Sequence, residues 1–266
     1  MSRTLLNAQH IQDICPRFRV LVIGRRNAGK TTILKKMSGS DGNDVEIRDI
    51  EGKKVDPSIL QPTSTRGMSE IENEITFRSN PLFVFHDSRG IEAGADTEEN
   101  SPLRPDYLWN FLEKRSKASK IRDQVHVVWF CIPMDKPRVP SEEFELSFFN
   151  GRLPVIAVFT KFESLVDEAY NNLPDDDTSE EDREDQANQD AQSKFEKTAL
   201  RAVQGTQYPP HQFVQLQQLN EPTGECIALT KKTNAALQNE TLLNIFALAQ
   251  HNSFEVGCQR VFRLMM

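Results

Sequence analysis

Near the amino end stand eight residues, Gly24-Arg25-Arg26-Asn27-Ala28-Gly29-Lys30-Thr31, that follow the spacing G-x-x-x-x-G-K-[ST]. Before them runs Phe18-Arg19-Val20-Leu21-Val22-Ile23, apolar and β-branched, which reads as a buried strand. After them comes Thr32-Ile33-Leu34-Lys35-Lys36-Met37, which reads as a helix, with Gly39 placed to end it. Strand, glycine-bearing loop and helix in this order turn a short pattern into a candidate site for a nucleotide's phosphates. Gly24 and Gly29 allow a tight turn that aims backbone N–H groups inward. The helix start adds the positive end of its dipole. The segment Gly24, Arg25, Arg26, Asn27, Ala28, Gly29, Lys30, Thr31 and Thr32 forms the expected cradle. Lys30 reaches the β- and γ-phosphates, and the Thr31 hydroxyl is a ligand for Mg²⁺.

The rest of the chain supports an α/β reading. Glu70 to Phe77 alternates as an edge-type strand, and Leu82 to His86 is a short buried one. Val125 to Ile132 is another, ended by Pro133, and Pro154 to Phe159 and Phe213 to Leu216 complete the set. Val45 to Val55, around Gly52, has the makings of a hairpin. Tyr107, Leu108, Phe111 and Leu112 recur at helical spacing. Strands alternating with helices predict a doubly wound, mostly parallel sheet with helices on both faces. We expect a short lead-in over residues 1–17 and a single domain over 18–266.

The net charge of −7 is concentrated in one place. Asp175 to Asp190 holds nine acids against one base, −8, which leaves the rest of the chain at +1. This segment begins a predicted helix from about Ser179 to Val203, within an acidic insertion at about 171–203; disorder up to about Gln186 is the competing reading. Thr178 and Glu181 have the spacing of a capping box, and Ala187, Ala191, Phe195, Ala199 and Val203 share one face. A further helix is expected over about 240–264. The basic run Lys114, Arg115, Lys117, Lys120 and Arg122 is local and reads as a solvated helix end, so no nucleic-acid partner is expected. No apolar run approaches the roughly 18 residues that span a bilayer. Nor does the start read as a signal peptide. Cys15, Cys131, Cys226 and Cys258 lack metal-ligand spacing, which fits a reducing, cytoplasmic setting.

Three more strings extend the site. Asp87-Ser88-Arg89-Gly90 is D-x-x-G at a strand's carboxyl end, where Asp87 can hold Mg²⁺ and the Gly90 N–H can meet a γ-phosphate. Pro62-Thr63-Ser64-Thr65-Arg66 is a hydroxyl-rich loop, and Thr65, with Thr63 next, is the candidate that reaches Mg²⁺ only when the γ-phosphate is present. Thr160-Lys161-Phe162-Glu163 closes another strand.

Taken in order, G-K-T, a hydroxyl loop, D-x-x-G and T-K-x-acid make the chain resemble the P-loop GTPases of the translation-factor, septin and Ras-like class. The resemblance runs from about residue 18 to about residue 250. It implies a Ras-like G domain that binds GTP and GDP with Mg²⁺. It also implies that Thr160, Lys161 and Glu163 meet the base, with the lysine packed on it and the carboxylate accepting from guanine's ring N–H and amino group. Glu163 departs from the family's aspartate by one methylene, so it must fold back to make the same fork. A fifth element, S-A-K in the family, corresponds to Leu229-Thr230-Lys231, which adds Thr230 to the candidates.

The resemblance also bears on turnover. Ras-like proteins place a glutamine in the D-x-x-G loop to position the attacking water. Here Ile91 and Glu92 follow Gly90, so hydrolysis is expected to be slow. Lys30, Asn27 and Thr65 are the catalytic candidates. The string Gly24 to Lys30 is similar to the loop of potassium-activated GTPases, in which an asparagine in the place of Asn27 helps to hold K⁺. Turn preference explains an asparagine there as well. An unidentified protein effector and a nucleotide-dependent homodimer are further implications. Two other readings stay open: a nucleotide-gated interaction module without useful hydrolysis, and a P-loop kinase. Pro133 to Arg138 is short for the lid that a kinase needs.

Overall fold

The computed structural model describes residues 10–60, 71–88, 105–135, 153–174, 179–221 and 224–265. Strand β1 (Phe18–Gly24) is buried along its whole length. So are β6 (Val127–Pro133) and β7 (Val155–Thr160). Near-continuous apolar strands of this kind are stable only when both faces of a sheet are covered. The other strands are β2 (Val45–Arg48), β3 (Lys54–Val55), β4 (Glu74–Phe77), β5 (Asn80–Asp87) and β8 (Gln212–Gln215). Together they form one sheet in the order β3-β2-β4-β5-β1-β6-β7-β8. From β5 to β8 every pairing is parallel, and β4, β2 and β3 add an antiparallel flank. The expected hairpin is β2 and β3, which turn around Gly52 at φ 80°.

Alternation along β1 divides the core in two. Val20 and Val22 face α1 (Lys30–Ser38), α5 (Ile227–Ala236) and α6 (Glu240–Met265), where Ile33, Leu34, Leu229 and Phe246 pack. Leu21 and Ile23 face α2 (Pro105–Ser116), α3 (Glu163–Asn171) and α4 (Glu180–Phe195), where Phe111, Leu165 and Phe195 pack. The fold is therefore a doubly wound α/β sandwich with helices on both faces.

Helix α4 begins at Ser179, whose hydroxyl accepts from the Asp182 N–H at 3.2 Å. The cap thus falls one residue after the expected Thr178, which lies outside the described residues. Glu180, Glu181 and Asp182 place negative charge at the positive end of the helix. A π turn (Glu196–Leu200) joins α4 to a last helical turn (Arg201–Gln204). The predicted stripe repeats every fourth residue, which on an ideal α-helix drifts about 40° per step. The wider π turn takes up that drift, and Ala187, Ala191, Phe195, Ala199 and Val203 are all buried.

A polar cluster interrupts the core beneath α2. The buried Arg19 side chain donates through Nη1 to Glu74 Oε1 at 2.7 Å and to His86 Nε2 at 2.8 Å. His86 Nδ1 then donates to the Ile71 carbonyl at 2.7 Å. On the opposite side of Arg19, its backbone N–H donates to His126 Nδ1 at 3.0 Å, and His126 Nε2 donates to the Ile121 carbonyl at 2.8 Å. Each imidazole thus has one nitrogen accepting and one donating, the pattern of a neutral ring. Burial, reinforced by the Arg19 charge, lowers His86 to about 3 and His126 to about 4. Burial also pushes the Glu74 carboxyl up, but Arg19 and Arg17 more than reverse this and leave it below its ordinary value.

A folded-state histidine pKa below its unfolded value means that the unfolded chain binds more protons in between, so stability rises with pH there. The histidine contribution is fully present above about 6.5 and is lost as the pH falls towards 4 and then 3. Denaturant midpoints measured from pH 8 downward should hold until about 6.5 and then decline; a flat profile down to pH 4 would contradict neutral burial of the two rings.

Candidate functional site

Five parallel strands, β5, β1, β6, β7 and β8, end along one rim of the sheet. The chain builds outward from β1 on the β5 side and then crosses to β6 on the other side. Beside β1 the strand order therefore reverses, and open α/β sheets bind ligands at such a point. The Gly24–Thr31 loop lies there. Gly24 has φ +146°, and a Cβ on it would stand 2.3 Å from the Cys131 carbonyl oxygen on β6. No side chain fits between those two strand ends. The Ala28 N–H donates to the Arg25 carbonyl at 3.2 Å, which folds the loop back on itself. Helix α1 starts after Gly29 with no side-chain cap and no acid in its first turn. Its leading N–H groups therefore look for an acceptor from outside the helix, as an anion-binding helix start does.

Lys30 is buried and doubles back over the loop. Its ammonium donates to the Gly24 and Arg25 carbonyls, each at 2.9 Å. Two of its three donors hold the loop, and one is left for a ligand. Thr31 and Thr32 are half-buried on the first turn of α1, Arg25 is half-buried, and Arg26 and Asn27 are exposed. Asn27 has φ 62°, the left-handed turn conformation that suits an asparagine. Asp87 ends β5 opposite Val22 and is buried. The fields of Lys30 and Asp87 both reach Cys131. Burial raises that thiol to about 12, Lys30 opposes the rise and Asp87 adds to it. After Asp87, the Ser88 N–H donates to the Val22 carbonyl at 3.0 Å, and the buried Ser88 hydroxyl has no partner among the described residues.

The second half of the rim is tied to the first. The Thr160 hydroxyl donates to the Ala28 carbonyl at 3.0 Å. Lys161 has φ 57° and its ammonium lies 2.5 Å from Asp135 Oδ2. Glu163 Oε2 accepts from the Gln218 N–H at 3.0 Å, and Gln218 has φ 50°. Asn27, Lys161 and Gln218 are the non-glycine residues with positive φ among those described. All three sit just past the carboxyl ends of β1, β7 and β8. Backbone strain of this kind gathers at ligand sites.

The rim thus brings together Gly24 to Thr32, Asp87, Thr160, Lys161 and Glu163. Thr230 needs correction. It lies within α5, where its single O–H has Gln250 Oε1 at 3.1 Å, the Cys226 carbonyl at 3.3 Å and Met37 Sδ at 3.8 Å as acceptors within reach. The strand-end place expected for Leu229-Thr230-Lys231 is taken by Leu216 to Gln218, because β8 ends at Gln215 and α5 packs beneath the sheet. Thr63, Thr65, Arg89, Gly90, Ile91 and Glu92 lie outside the described residues. Asp135 and Gln218 were missed in the sequence, where neither belongs to a spacing pattern.

A polyphosphate with a divalent cation fits these groups: an uncapped helix start, an ammonium and a carboxylate at adjacent strand ends. Among the described residues no group of three or more His, Cys, Asp or Glu could hold a metal ion. Mg²⁺ here would rest on Thr31, Asp87, phosphate oxygens and water, the usual way in which this ion is bound.

No family model matches the chain, and no curated protein matches it. Among solved structures it is similar to a septin GTPase domain from Chlamydomonas reinhardtii. Identity is 16% over 93% of this chain and 96% of that one, with a TM-score of 0.35. So loose a likeness carries no chemistry from one chain to the other.

The Gly24 contact yields a direct comparison. Gly52 also has positive φ, at +80°, but a Cβ there would meet nothing within 4 Å. Gly52→Ala should cost only the left-handed strain, about 1–2 kcal/mol. Gly24→Ala adds the collision with Cys131 and should cost a further ~1–3 kcal/mol. Equal denaturation midpoints for the two variants would rule out the close approach.

Proposed function

We propose that this chain is a Mg²⁺-dependent GTP-binding protein that hydrolyses GTP slowly and acts as a nucleotide switch. One observation carries the reading. The uncapped start of α1 with Lys30, the Asp87 carboxylate and the Thr160–Glu163 segment share one rim, and Thr160 is bonded to the phosphate loop itself. The N–H groups from Gly24 to Thr32 and the free donor of Lys30 receive the phosphates. Thr31, Asp87 and Thr65 are the residues to hold Mg²⁺, which when bound neutralises phosphate charge. Gly90 senses the γ-phosphate through its N–H.

The base lies at the other end of the rim, against Thr160, Lys161 and Glu163. With Oε2 engaged by Gln218, the second oxygen of Glu163 takes guanine's ring N–H. In this reading Asn27 helps to hold K⁺ beside the phosphates, where a cation would offset charge that develops during hydrolysis. Segments around Thr65 and after Gly90 change order between GTP and GDP and so present a protein effector with two surfaces. A nucleotide-dependent homodimer is a further form of the same switch. A cytoplasmic setting goes with this reading, since a reducing compartment keeps thiols such as the described Cys15, Cys131 and Cys226 free. Ile91, apolar where a water-orienting group would stand, favours a second reading, a nucleotide-gated interaction module without useful turnover.

Competition among GTP, GDP and ATP with Mg²⁺ tests the binding claim. GTP and GDP should bind and outcompete ATP; preference for ATP would overturn the base assignment. Lys30→Ala removes a buried cation from the phosphate site and should weaken GTP binding by about 2–5 kcal/mol, roughly thirtyfold to a few thousandfold. Wild-type affinity in that variant would contradict the site.

Single-turnover hydrolysis separates the two readings, since slow release of phosphate supports the GTPase and none supports the module. At equal ionic strength, potassium should accelerate the reaction over sodium; equal rates would remove K⁺ from the account.

A further inference from the structure

We propose that Asp135 is a positioning residue for Lys161, laying the lysine's alkyl chain along the rim as a flat platform for a purine base. The inference rests on the nucleotide reading above and adds a residue that no motif in the sequence identifies.

Neighbouring strands β6 and β7 are in register as far as Pro133 opposite Thr160. The Met134 N–H then donates to the Thr160 carbonyl at 2.9 Å, which carries the pairing one residue beyond the sheet. Asp135 is next on one strand and Lys161 next on the other. At φ 57° the Lys161 backbone leaves the line of β7, and its ammonium ends 2.5 Å from Asp135 Oδ2. The side chain therefore spans from β7 to β6, towards the phosphate loop, which follows β1 on the far side of β6.

Stability does not explain this arrangement. Both side chains are partly open to water, 28% for Lys161 and 34% for Asp135. A partly exposed ion pair adds little to folding, less than the left-handed backbone costs a residue that has a Cβ. Strain left unrepaid by local contacts is characteristic of a ligand site. The chemistry fits a base. With its charge answered by Asp135, Lys161 presents four methylenes as an apolar surface and does not compete with Lys30 for phosphate. Such a surface meets the π-face shared by all purines. The ring edge, where guanine and adenine differ, is left to Glu163. Asp135 should therefore set affinity for purine nucleotides without setting the choice among them.

Equilibrium titrations of the full chain with GDP, with inosine diphosphate and with inorganic pyrophosphate, all with Mg²⁺, test this. Asp135→Ala should weaken GDP and inosine diphosphate by the same factor, about threefold to fivefold for a pair of this exposure. Pyrophosphate, which has no base, should bind as in wild type. In a Lys161→Met background, Asp135→Ala should cause no further loss, and Asp135→Glu, which keeps the charge, should recover most of the GDP affinity. The inference is overturned if GDP affinity is unchanged in Asp135→Ala, if pyrophosphate weakens equally, or if the loss persists in the Lys161→Met background. Wild-type protein that binds neither GDP nor pyrophosphate would instead fail the nucleotide reading itself, and the inference with it.

Discussion

The carboxyl end of β1 passes so close to β6 that a single Cβ at Gly24 would strike the Cys131 carbonyl. From that contact the chain must turn at once, and Lys30 holds the turn by reaching back to the Gly24 and Arg25 carbonyls. The result is a helix whose first turn has no capping side chain and points at the place where the strand order reverses. The loop's apolar strand, its glycines and its lysine are parts of one device. The strand fixes the position, the glycine permits the approach, and the lysine shapes the cradle while keeping a donor in reserve.

Strand β5 links this device to the buried polar cluster. Its last two residues are His86, which donates to the Ile71 carbonyl and accepts from Arg19, and Asp87, which faces the cradle from beside Val22. A buried arginine needs partners for its donors. Glu74 and His86 take both Nη1 donors and the Arg122 carbonyl takes one from Nη2 at 3.4 Å, while the buried Nε–H has no partner among the described residues. The network therefore fixes the end of the strand that carries the site's carboxylate, at the cost of two histidines that must stay neutral.

Much of this was legible in the sequence, for physical reasons. Continuous apolar runs such as Val20–Ile23 and Val155–Phe159 identify strands covered on both faces. The Gly24–Thr31 spacing identifies the loop between strand and helix, and the fourfold stripe from Ala187 to Val203 identifies a packed helix. The π turn that keeps the stripe facing inward does not show in the spacing, because it answers a drift that only packing makes costly. Thr230 was misplaced because a three-residue string carries no information on where β8 ends. Asp135 and Gln218 gain meaning only when the sheet sets three strand ends side by side, and Arg19 and His86 read as interruptions in apolar strands until their cross-strand partners are known. Thr65 and Gly90 rest on their motifs alone.

The most direct measurement is amide hydrogen exchange across Gly24 to Thr32 in the folded protein, with Mg²⁺ present, before and after saturating GTP. Slowed exchange is expected at the leading amides of α1, as phosphate oxygens take the acceptor place that no described side chain fills. Unchanged exchange at those amides would contradict the claim that this helix start is built to hold a polyphosphate.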